Sequence, residues 1–296
     1  MNPTQSNTCA LVVTYQPDDD CFGRLDRLLA QFPLVIVVDN ASTNNFKNLI
    51  DSLNGRSKVL LVRNDCNFGM GKALNLGLAY AKNRGFHYCA TFDQDTAVFP
   101  ELLKILLAVY QRQGQELALV GANYWNAHKG RNFLECADAG LDASVERKTL
   151  ITSGTLMPLA MIDKIGGFRE DYFIDSVDHE FCLRARSYGY LLFMTCRPLM
   201  SQNIGSEKIG SSLFSHLMSF DHSPARKYYI ARNVVVTMKT YCLGEPLWVL
   251  RQAMRLCQDF LSILLFEKRK ISKIVAFGKG IWHGIAGRLG PIEKTK

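Results

Sequence analysis

Apolar runs rich in β-branched and aromatic residues alternate with segments of helical periodicity in the N-terminal part of the chain. The runs are Ala10–Tyr15, Val35–Val38, Val59–Val62, Tyr88–Phe92 and Leu117–Gly121. The segments between them are typical of helices over Phe22–Phe32, Phe46–Leu53, Gly71–Arg84 and Pro100–Gln113. This β-α-β-α order predicts an α/β fold in which helices flank a mostly parallel, twisted sheet.

Polar side chains follow four of these strands at the point where each strand ends. They stand in the segments Thr14-Tyr15, Asp39-Asn40-Ala41-Ser42, Asn64–Gly71 and Asp93-Gln94-Asp95. In open sheets of this kind, ligands bind outside the carboxyl ends of the strands. We therefore expect the four loops to meet in one crevice.

The triplet Asp93-Gln94-Asp95 places two carboxylates at the exit of the fourth strand. Their i, i+2 spacing directs both side chains to one side of an extended backbone. Carboxylate oxygens suit Mg²⁺ or Mn²⁺, which complete their shells with water and substrate phosphates. The triplet indicates a divalent-cation site that can grip a diphosphate, and the competing interpretation is a solvated turn.

A glycine-rich segment, Asn67-Phe68-Gly69-Met70-Gly71-Lys72, precedes the third expected helix. Its spacing matches neither GxGxxG nor GxxxxGK[ST]. A helix N-terminus beside Lys72 favours a phosphate. A turn eased by glycine, with a lysine at the surface, explains the same residues.

A second acidic cluster lies in the segment Phe173–Arg184. From Asp178 onward the pattern becomes helical, so Asp178 stands where a helix N-cap or first-turn acid would stand. Three acids within six residues, Asp175, Asp178 and Glu180, exceed what capping requires. A carboxylate held there could act as a general base.

The net charge of +8 is concentrated in the last quarter of the chain. Residues 1–220 carry 21 Lys and Arg against 22 Asp and Glu, a net charge of −1, and residues 221–296 carry 14 against 5, a net charge of +9. We expect a first domain over residues 1–220 and a basic helical region over residues 221–296. The excess points to an anionic partner, either nucleic acid or the inner membrane leaflet.

Three long helices are expected in this region, over Pro224–Thr240, Leu247–Phe266 and Ile271–Leu289. The second is amphipathic, and its charges exclude an uninterrupted apolar span of about 18 residues. The third combines a broad apolar face with Lys268, Arg269, Lys270, Lys273 and Lys279, which is typical of a helix at a membrane interface. The competing interpretation for both helices is packing against the protein core.

Nine cysteines are scattered along the chain without a CxxC pair. Many lie inside apolar runs, so we expect buried free thiols and a reducing compartment. The polar stretch Met1–Thr8 leads directly into the first strand and leaves no room for a signal peptide. These features predict a cytoplasmic protein at the inner face of the membrane.

Six segments of the chain, taken in order, resemble the family 2 glycosyltransferases of the GT-A fold. They are Leu11–Tyr15, Val37–Ser42, Asn67-Phe68-Gly69 with Asn75–Leu78, Phe92–Thr96, Thr152-Ser153-Gly154 and Phe173–Arg184. The resemblance covers about residues 9–205 and implies an inverting transferase that uses a nucleotide-diphosphate sugar, with a helical C-terminal extension to the GT-A domain.

Within that family, the Asp-Gln-Asp-Thr and Phe-Ile-Asp-x-Val-Asp-His-Glu sequences are most similar to rhamnosyltransferases of bacterial O-antigen synthesis. The similarity implies dTDP-L-rhamnose as donor and a saccharide acceptor. A lipid-linked acceptor at the cytoplasmic leaflet would explain the basic amphipathic tail.

The resemblance also implies roles on the donor side. Thr14, Tyr15 and Asp39 would bind the nucleoside, and the nucleotide-sugar site would be lined by Asn40, Asn67, Gly69, Lys72 and Gln94. Asp93 would lie near the ribose and the metal, while Asp95 would coordinate the divalent cation, Mg²⁺ or Mn²⁺.

On the acceptor side, Asp178 matches the general base of the family. It would deprotonate the acceptor hydroxyl as that oxygen attacks the anomeric carbon. Four further residues are expected nearby, namely Ser153, Gly154, His179 and Glu180.

The chain departs from the family at two positions. Val177 stands where the family often has a glutamate, and Gln202 where it often has a histidine. The third metal ligand is therefore open between Gln202, His222 and water. Residues after His222 could instead close over the diphosphate, namely Arg226, Tyr228, Tyr229, Arg232 and Asn233.

Two other functions compete with this interpretation. A phosphotransferase of the haloacid dehalogenase type also places Asp-x-Asp after a parallel strand, but its motif has Thr or Val where this chain has Ala97. A nucleic-acid binder would interleave aromatic residues with its basic ones. Here the charges border Leu- and Ile-rich faces, so we expect no nucleic-acid partner.

Overall fold

The computed structural model describes residues 2–43, 51–113, 118–126, 130–137, 140, 142–202, 208–209, 218–219 and 221–292. The expected helix over Phe46–Leu53 falls mostly outside these residues. The chain divides into two compact units, one formed by Met1–Phe168 with Phe181–Asn203 and the other by Arg169–Glu180 with Ile204–Lys296.

The first unit is built on a sheet whose strands are β1 (Thr8–Thr14), β2 (Val35–Asp39), β3 (Val59–Arg63), β4 (Tyr88–Asp93), β5 (Ala97–Val98), β6 (Ala118–Asn126), β7 (Arg131–Asn132), β8 (Ser144–Glu146), β9 (Thr155–Pro158) and β10 (Leu191–Gln202). Its helices are α1 (Cys21–Leu29), α2 (Met70–Asn83), α3 (Leu102–Gln113) and α4 (Ala160–Ile165), and α5 runs over Val177–Ser187.

The strand order in the sheet is β3-β2-β1-β4-β9-β6-β10-β5. Parallel pairing joins β3, β2, β1 and β4, and also joins β6 to β10. Strands β1 and β2 are buried along their whole length, as continuous apolar runs covered by helices should be. The predicted mostly parallel sheet flanked by helices is confirmed.

Strand β9 runs antiparallel between β4 and β6 and connects the two parallel groups. It comprises only Thr155-Leu156-Met157-Pro158, all of them buried. A short apolar run of this kind has no alternation that separates a strand from a helix, which is why the sequence did not reveal it.

One pair of cysteines departs from the expectation of free thiols. Cys136 and Cys196 form a disulfide across 60 residues of sequence. The Asn123 side chain donates to the Leu134 carbonyl at 2.9 Å and to the Cys196 carbonyl at 2.8 Å, so it holds the two segments together. The seven other cysteines are free, and Cys66, Cys242 and Cys257 among them are exposed.

The second unit contains the helices α6 (Pro224–Tyr241), α7 (Pro246–Leu265) and α8 (Lys270–Ala286), the short hairpin β11 (Lys208–Ile209) and β12 (Met218–Ser219), and a 3₁₀ turn over Glu170–Tyr172. Ser223 caps α6 by accepting from the Arg226 backbone N–H at 3.3 Å. The three helices pack around Ala231, Ile263 and Phe277. No helix among the described residues has both the length and the apolar character needed to cross a membrane.

Two lysines in the described part of this unit are buried. The Lys227 and Lys273 ammonium groups each lie 2.8 Å from a carboxylate oxygen of Glu267. Lys273 also pairs with Asp221, and Lys227 lies 3.7 Å from Asp259. The expectation that Lys273 supplies charge to the basic face of α8 is therefore wrong, because a buried ammonium must be paired with carboxylates.

Helix α8 approaches α6 closely through two glycines spaced by four residues. A Cβ added at Gly280 would stand 2.4 Å from the Tyr228 carbonyl oxygen, and one at Gly284 would stand 2.7 Å from the Arg232 carbonyl oxygen. Both contacts are with backbone atoms, which cannot rotate away. The two glycines therefore set the distance between the helices.

We expect Gly280→Ala to lower the free energy of unfolding by about 1–3 kcal/mol, because an added methyl group overpacks this contact. Gly278→Ala is the matched control, since nothing lies within 4 Å of its added Cβ in the same helix. That change should raise stability by up to about 1 kcal/mol through helix propensity. Urea unfolding followed by circular dichroism tests both, and equal shifts would contradict the close approach.

Candidate active site

The Asp39 carboxylate is buried at the end of β2 and accepts hydrogen bonds from Thr14 and Ser42. Its Oδ1 accepts the Thr14 hydroxyl at 3.0 Å and the Ser42 hydroxyl at 2.5 Å, and its Oδ2 accepts the Ser42 backbone N–H at 3.1 Å. Parallel register places Thr14 directly beside Asp39. These three hydrogen bonds fix the Asp39 carboxylate as an acceptor at the end of β2.

Asn40 links the loops that follow β2 and β3 to the start of α2. Its amide donates to Asn67 Oδ1 at 2.8 Å and to the Gly69 carbonyl at 3.3 Å. Its Oδ1 accepts from the Phe68 N–H at 3.1 Å and from the Asn64 amide at 3.0 Å. Asn40 and Asn67 therefore fix the shape of the glycine-rich loop.

Gly69 ends this loop with a φ of 85°, and α2 begins at the next residue. Such a conformation favours glycine. The Lys72 ammonium lies 4.3 Å from the centre of the Phe68 ring, in the first turn of α2. The helix N-terminus and the lysine together make a favourable place for a phosphate.

Gln94 joins the loop after β1 to the Asp93-Gln94-Asp95 triplet. Its side-chain oxygen accepts the Tyr15 N–H at 2.7 Å, and its amide donates to the Tyr15 carbonyl at 3.1 Å. The Arg24 side chain donates to the Gln94 carbonyl at 2.8 Å. The two bonds from Gln94 hold the Tyr15 backbone in place, while the Tyr15 ring remains exposed.

Asp93 is held from two directions at the end of β4. The Ser153 hydroxyl accepts the Asp93 backbone N–H at 3.2 Å and lies 2.6 Å from the Thr96 hydroxyl. The Gln202 amide donates to Asp93 Oδ2 at 3.1 Å. Asp93 therefore has a defined orientation.

Asp95 keeps access to solvent at the rim of the same loop. Neighbouring protein atoms nonetheless remove enough water to raise the pKa of its carboxyl group, and the Asp95 backbone N–H and Arg24 act in the opposite direction. A carboxylate that is partly stripped of water and remains accessible suits an exchangeable cation.

Gln202 ends β10 next to this pair of acids. Ser201 pairs with Ala97 of β5, so Gln202 follows in register beside Thr96. The side chain is 8% exposed, and its Oε1 has no hydrogen-bond partner among the residues that the structure describes. An orphaned buried oxygen on an amide that contacts the Asp93 carboxylate fits a hard divalent cation.

No group of three His, Cys, Asp or Glu side chains in the described part of the chain could hold a metal ion. The Gln202 amide contacts the Asp93 carboxylate at 3.1 Å, and Asp95 follows Asp93 by two residues, so the candidate donors at the exit of β4 are Asp93, Asp95 and Gln202. All three are oxygen donors, as Mg²⁺ and Mn²⁺ prefer.

Ser153 and Gly154, expected on the acceptor side, lie in the layer beneath Asp93. Ser153 is 1% exposed. Gly154 has a φ of 75°, and an added Cβ would meet Met200 Sδ at 2.7 Å and Ala122 Cβ at 2.9 Å. This residue allows β4, β6 and β10 to approach one another closely.

In the second unit, the turn before Asp178 has an unusual backbone. Phe173, Asp175 and Ser176 have φ values of 66°, 63° and 59°. Positive φ is uncommon for residues other than glycine, and it persists only where the surroundings hold it. Such strain clusters at functional sites.

Asn233 and Arg232, both buried in α6, hold this turn. The Asn233 amide donates to the carbonyls of Tyr172, Ile174 and Asp175 at 3.0, 2.7 and 2.9 Å. Arg232 donates to the carbonyls of Asp171 and Tyr172 at 3.0 and 2.9 Å. The possibility that these two residues close over a diphosphate is therefore wrong, because their polar atoms are committed inside the protein.

Asp178 lies in the first turn of α5, where its Oδ1 accepts the His179 N–H at 2.8 Å. The His179 ring stands edge-on to Trp248 at 6.0 Å. Glu180 is 3% exposed and accepts the Tyr241 hydroxyl at 3.0 Å. Glu180 thus serves to anchor the start of α5 to α6.

Two neighbouring groups carry shifted pKa values. Burial raises the pKa of Asp175, and Arg226, whose guanidinium lies 3.2 Å away, opposes the shift. Burial and the cations Arg226, Lys227 and Lys273 lower the pKa of His222 to about 4, against a smaller opposing effect of Glu267. His222 is consequently neutral near pH 7.

Comparison with known proteins identifies the fold. Solved structures similar to the chain include S. aureus TarS 1-349 in complex with UDP-GlcNAc, at a TM-score of 0.59 and 18% identity, covering 93% of this chain and 80% of that one. GalNAc-T7 with UDP, GalNAc and Mn²⁺ has a TM-score of 0.60 and 9% identity, covering 82% and 49%. The fold is that of the GT-A glycosyltransferases.

Residues 12–154 match the sequence model of the family described as glycosyl transferase family 2. The chain is also 28% identical over 246 residues to the dTDP-rhamnosyl transferase RfbF of Shigella flexneri, a match that covers 79% of this chain and 80% of that protein. Together these matches support a glycosyltransferase that is similar to family 2 and to a dTDP-rhamnosyl transferase. They favour a transferase over the phosphotransferase and nucleic-acid-binding alternatives.

We expect Asn233→Ala to lower the free energy of unfolding by about 2 kcal/mol, because the carbonyls of Ile174 and Asp175 lose the side-chain donor that the Asn233 amide supplies. The turn before Asp178 should also relax. We therefore expect kcat for sugar transfer to fall by a larger factor than KM changes. Asn83→Ala is the control, since Asn83 is exposed at the end of α2. Unchanged stability and kcat in Asn233→Ala would contradict the role given to this amide.

Proposed function

We propose that the protein transfers L-rhamnose from dTDP-L-rhamnose, with inversion, to a hydroxyl of a saccharide acceptor. The observation that carries the proposal is the pair Asp93 and Asp95 at the exit of β4, next to β1 and β2, whose ends carry Thr14 and Asp39. The similarity to the Shigella flexneri dTDP-rhamnosyl transferase supports the choice of donor.

On the donor side, Asp39 accepts from the base or ribose, and Thr14 keeps its carboxylate in place. Tyr15 shapes the base pocket with its exposed ring. The N-terminus of α2 and Lys72 attract the diphosphate. Asn40, Asn67, Gly69 and Gln94 act by fixing the loops that carry these groups.

Asp93 and Asp95 are the residues that would hold a divalent cation, Mg²⁺ or Mn²⁺. When bound, the ion neutralises charge that develops on the departing nucleoside diphosphate. The orientation of Asp93 comes from Ser153 and Gln202, as the hydrogen bonds to its backbone and carboxylate indicate.

On the acceptor side, Asp178 acts as general base. The acceptor hydroxyl gives its proton to the Asp178 carboxylate while its oxygen forms a bond to the anomeric carbon. The bond from that carbon to the diphosphate oxygen breaks on the opposite face, so the configuration inverts. The turn held by Asn233 and Arg232 preorganises Asp178 for this step, and we place His179 and Glu180 beside the acceptor.

We further propose that residues 1–220 form the catalytic domain and that residues 221–296 bind the anionic cytoplasmic face of the membrane. Helices α7 and α8 expose a set of large apolar side chains, namely Leu247, Leu250, Met254, Leu261, Leu265, Ile271, Val275, Trp282 and Ile285. Lys270 and Lys279 of α8 are exposed, and so are Lys268 and Arg269, which link α7 to α8. This combination suits an interfacial position and a lipid-linked acceptor, as in O-antigen synthesis.

We expect Asp178→Asn to retain dTDP affinity and to lose release of dTDP from dTDP-L-rhamnose by about 10²–10⁴-fold, because the amide cannot take a proton. The change keeps the shape of the side chain. Calorimetry measures dTDP binding, and chromatography of the released nucleotide measures turnover.

Asp163→Asn is the control, since Asp163 is an exposed acid paired with Lys82 at 2.6 Å. It should leave both quantities unchanged. Full turnover in Asp178→Asn would remove Asp178 from the role of base, and a wild-type protein that binds UDP but no dTDP would exclude the donor.

We expect the protein to float with phosphatidylglycerol vesicles at low salt and not with phosphatidylcholine vesicles. Trp282→Ala should weaken this binding by about tenfold, because Trp282 is 62% exposed on the apolar face of α8. Trp125→Ala, which removes an exposed tryptophan from the first unit, should have no effect. Binding to oligonucleotides but not to these vesicles would overturn the membrane proposal.

A further inference from the structure

We propose that Gln202 is the third side-chain ligand of the divalent cation, its amide oxygen facing the ion while its amide nitrogen orients Asp93. This inference rests on the proposed function, since it deepens the same site. It also assigns the two ends of one amide group to two separate tasks.

Gln202 is positioned beside the Asp93 carboxylate. Gln202 closes β10, and the antiparallel pairing of Ser201 with Ala97 brings it beside the segment that follows Asp95. Its Nε2 lies 3.1 Å from Asp93 Oδ2. Because the oxygen and nitrogen of an amide are only about 2.2 Å apart, Oε1 lies within roughly 5.3 Å of that carboxylate oxygen.

The side-chain oxygen of Gln202 is buried and unpaired. Gln202 is 8% exposed, and its Oε1 has no hydrogen-bond donor among the described residues. A buried acceptor without a partner costs free energy, so it calls for an explanation such as an ion. The opposite end of the amide is satisfied by Asp93, which fixes which atom is left over.

An amide oxygen is also chemically suited to complete the shell of this cation. A cation bound by Asp93 and Asp95 alone has two protein ligands and needs further oxygen donors. A neutral amide oxygen supplies one without adding negative charge beside a bound diphosphate. An alternative is that Gln202 only positions Asp93 through Nε2, and the two roles make different predictions for a glutamate at this position.

The experiment is titration of Mn²⁺ into the full-length protein, with and without dTDP, followed by the electron paramagnetic resonance signal of the free ion. Gln202→Leu removes both ends of the amide and should weaken Mn²⁺ binding by about tenfold or more. Gln202→Glu keeps an oxygen but loses the donor to Asp93, and it should bind Mn²⁺ at least as tightly as the wild type.

Gln252→Leu is the matched control, since Gln252 is buried in α7 of the other unit. Its Mn²⁺ affinity should equal that of the wild type. Thermal unfolding without metal verifies that each variant is folded.

Two results would overturn the ligand role of Gln202, namely wild-type affinity in Gln202→Leu or an equal loss in Gln202→Leu and Gln202→Glu. The second of these would assign Gln202 to positioning alone. A wild-type protein that releases dTDP from the donor but binds no Mn²⁺ overturns this inference and leaves the transferase standing. One that binds neither dTDP nor Mn²⁺ overturns both proposals.

Discussion

The antiparallel strand β9 is the element on which the candidate donor site depends, because it joins the two parallel groups of the sheet. At its start, the Gly154 N–H donates to the Thr91 carbonyl at 2.7 Å, and the Gly154 carbonyl accepts the Ala122 N–H at 2.9 Å. One residue earlier, Ser153 meets Asp93. The spacing between the strands that carry Asp93 and Gln202 is thus set by a glycine that lies beneath them.

In the second unit, hydrogen bonds from α6 hold the turn that precedes Asp178. Three residues with positive φ would not hold their conformation alone, and the Asn233 amide and the Arg232 guanidinium satisfy the carbonyls that this turn exposes. Buried polar groups in α6 therefore stabilise a strained segment whose carboxylate, Asp178, stands at the first turn of α5. Removing either partner leaves buried carbonyls unsatisfied, which explains why a helix remote in sequence controls this turn.

Much of the first unit could be predicted from the sequence because its signals are local. The apolar runs around Val12, Val37 and Phe92 gave the central strands, and the polar residues after them gave Asp39 and Asp93. Strand β9 escaped prediction because four buried residues carry no periodicity. The disulfide of Cys136 with Cys196 and the bonds of Asn233 join residues about 60 positions apart, which no spacing rule reveals.

The exposure of the charged residues could not be predicted either, because a buried lysine and a solvated one look alike in a sequence. Lys227 and Lys273 contribute to the excess of the last quarter, yet inside the second unit both pair with Glu267, and each also has a second acid nearby, Asp259 for Lys227 and Asp221 for Lys273. The exposed charges that remain on α7 and α8 stand next to exposed Ile271 and Trp282 rather than covering a polar surface.

Gln202 offers an oxygen where a histidine was expected, and this difference affects which metal ions the proposed site would suit. Imidazole nitrogen suits Zn²⁺, Ni²⁺ and Cu²⁺ as well as Mn²⁺, whereas carboxylate and amide oxygens suit Mg²⁺, Ca²⁺ and Mn²⁺. The proposed site of Asp93, Asp95 and Gln202 would therefore suit Mg²⁺, Ca²⁺ and Mn²⁺ by donor type better than a site with an imidazole would. Since the amide is neutral, Gln202 would supply its oxygen without a third negative charge that would repel the diphosphate.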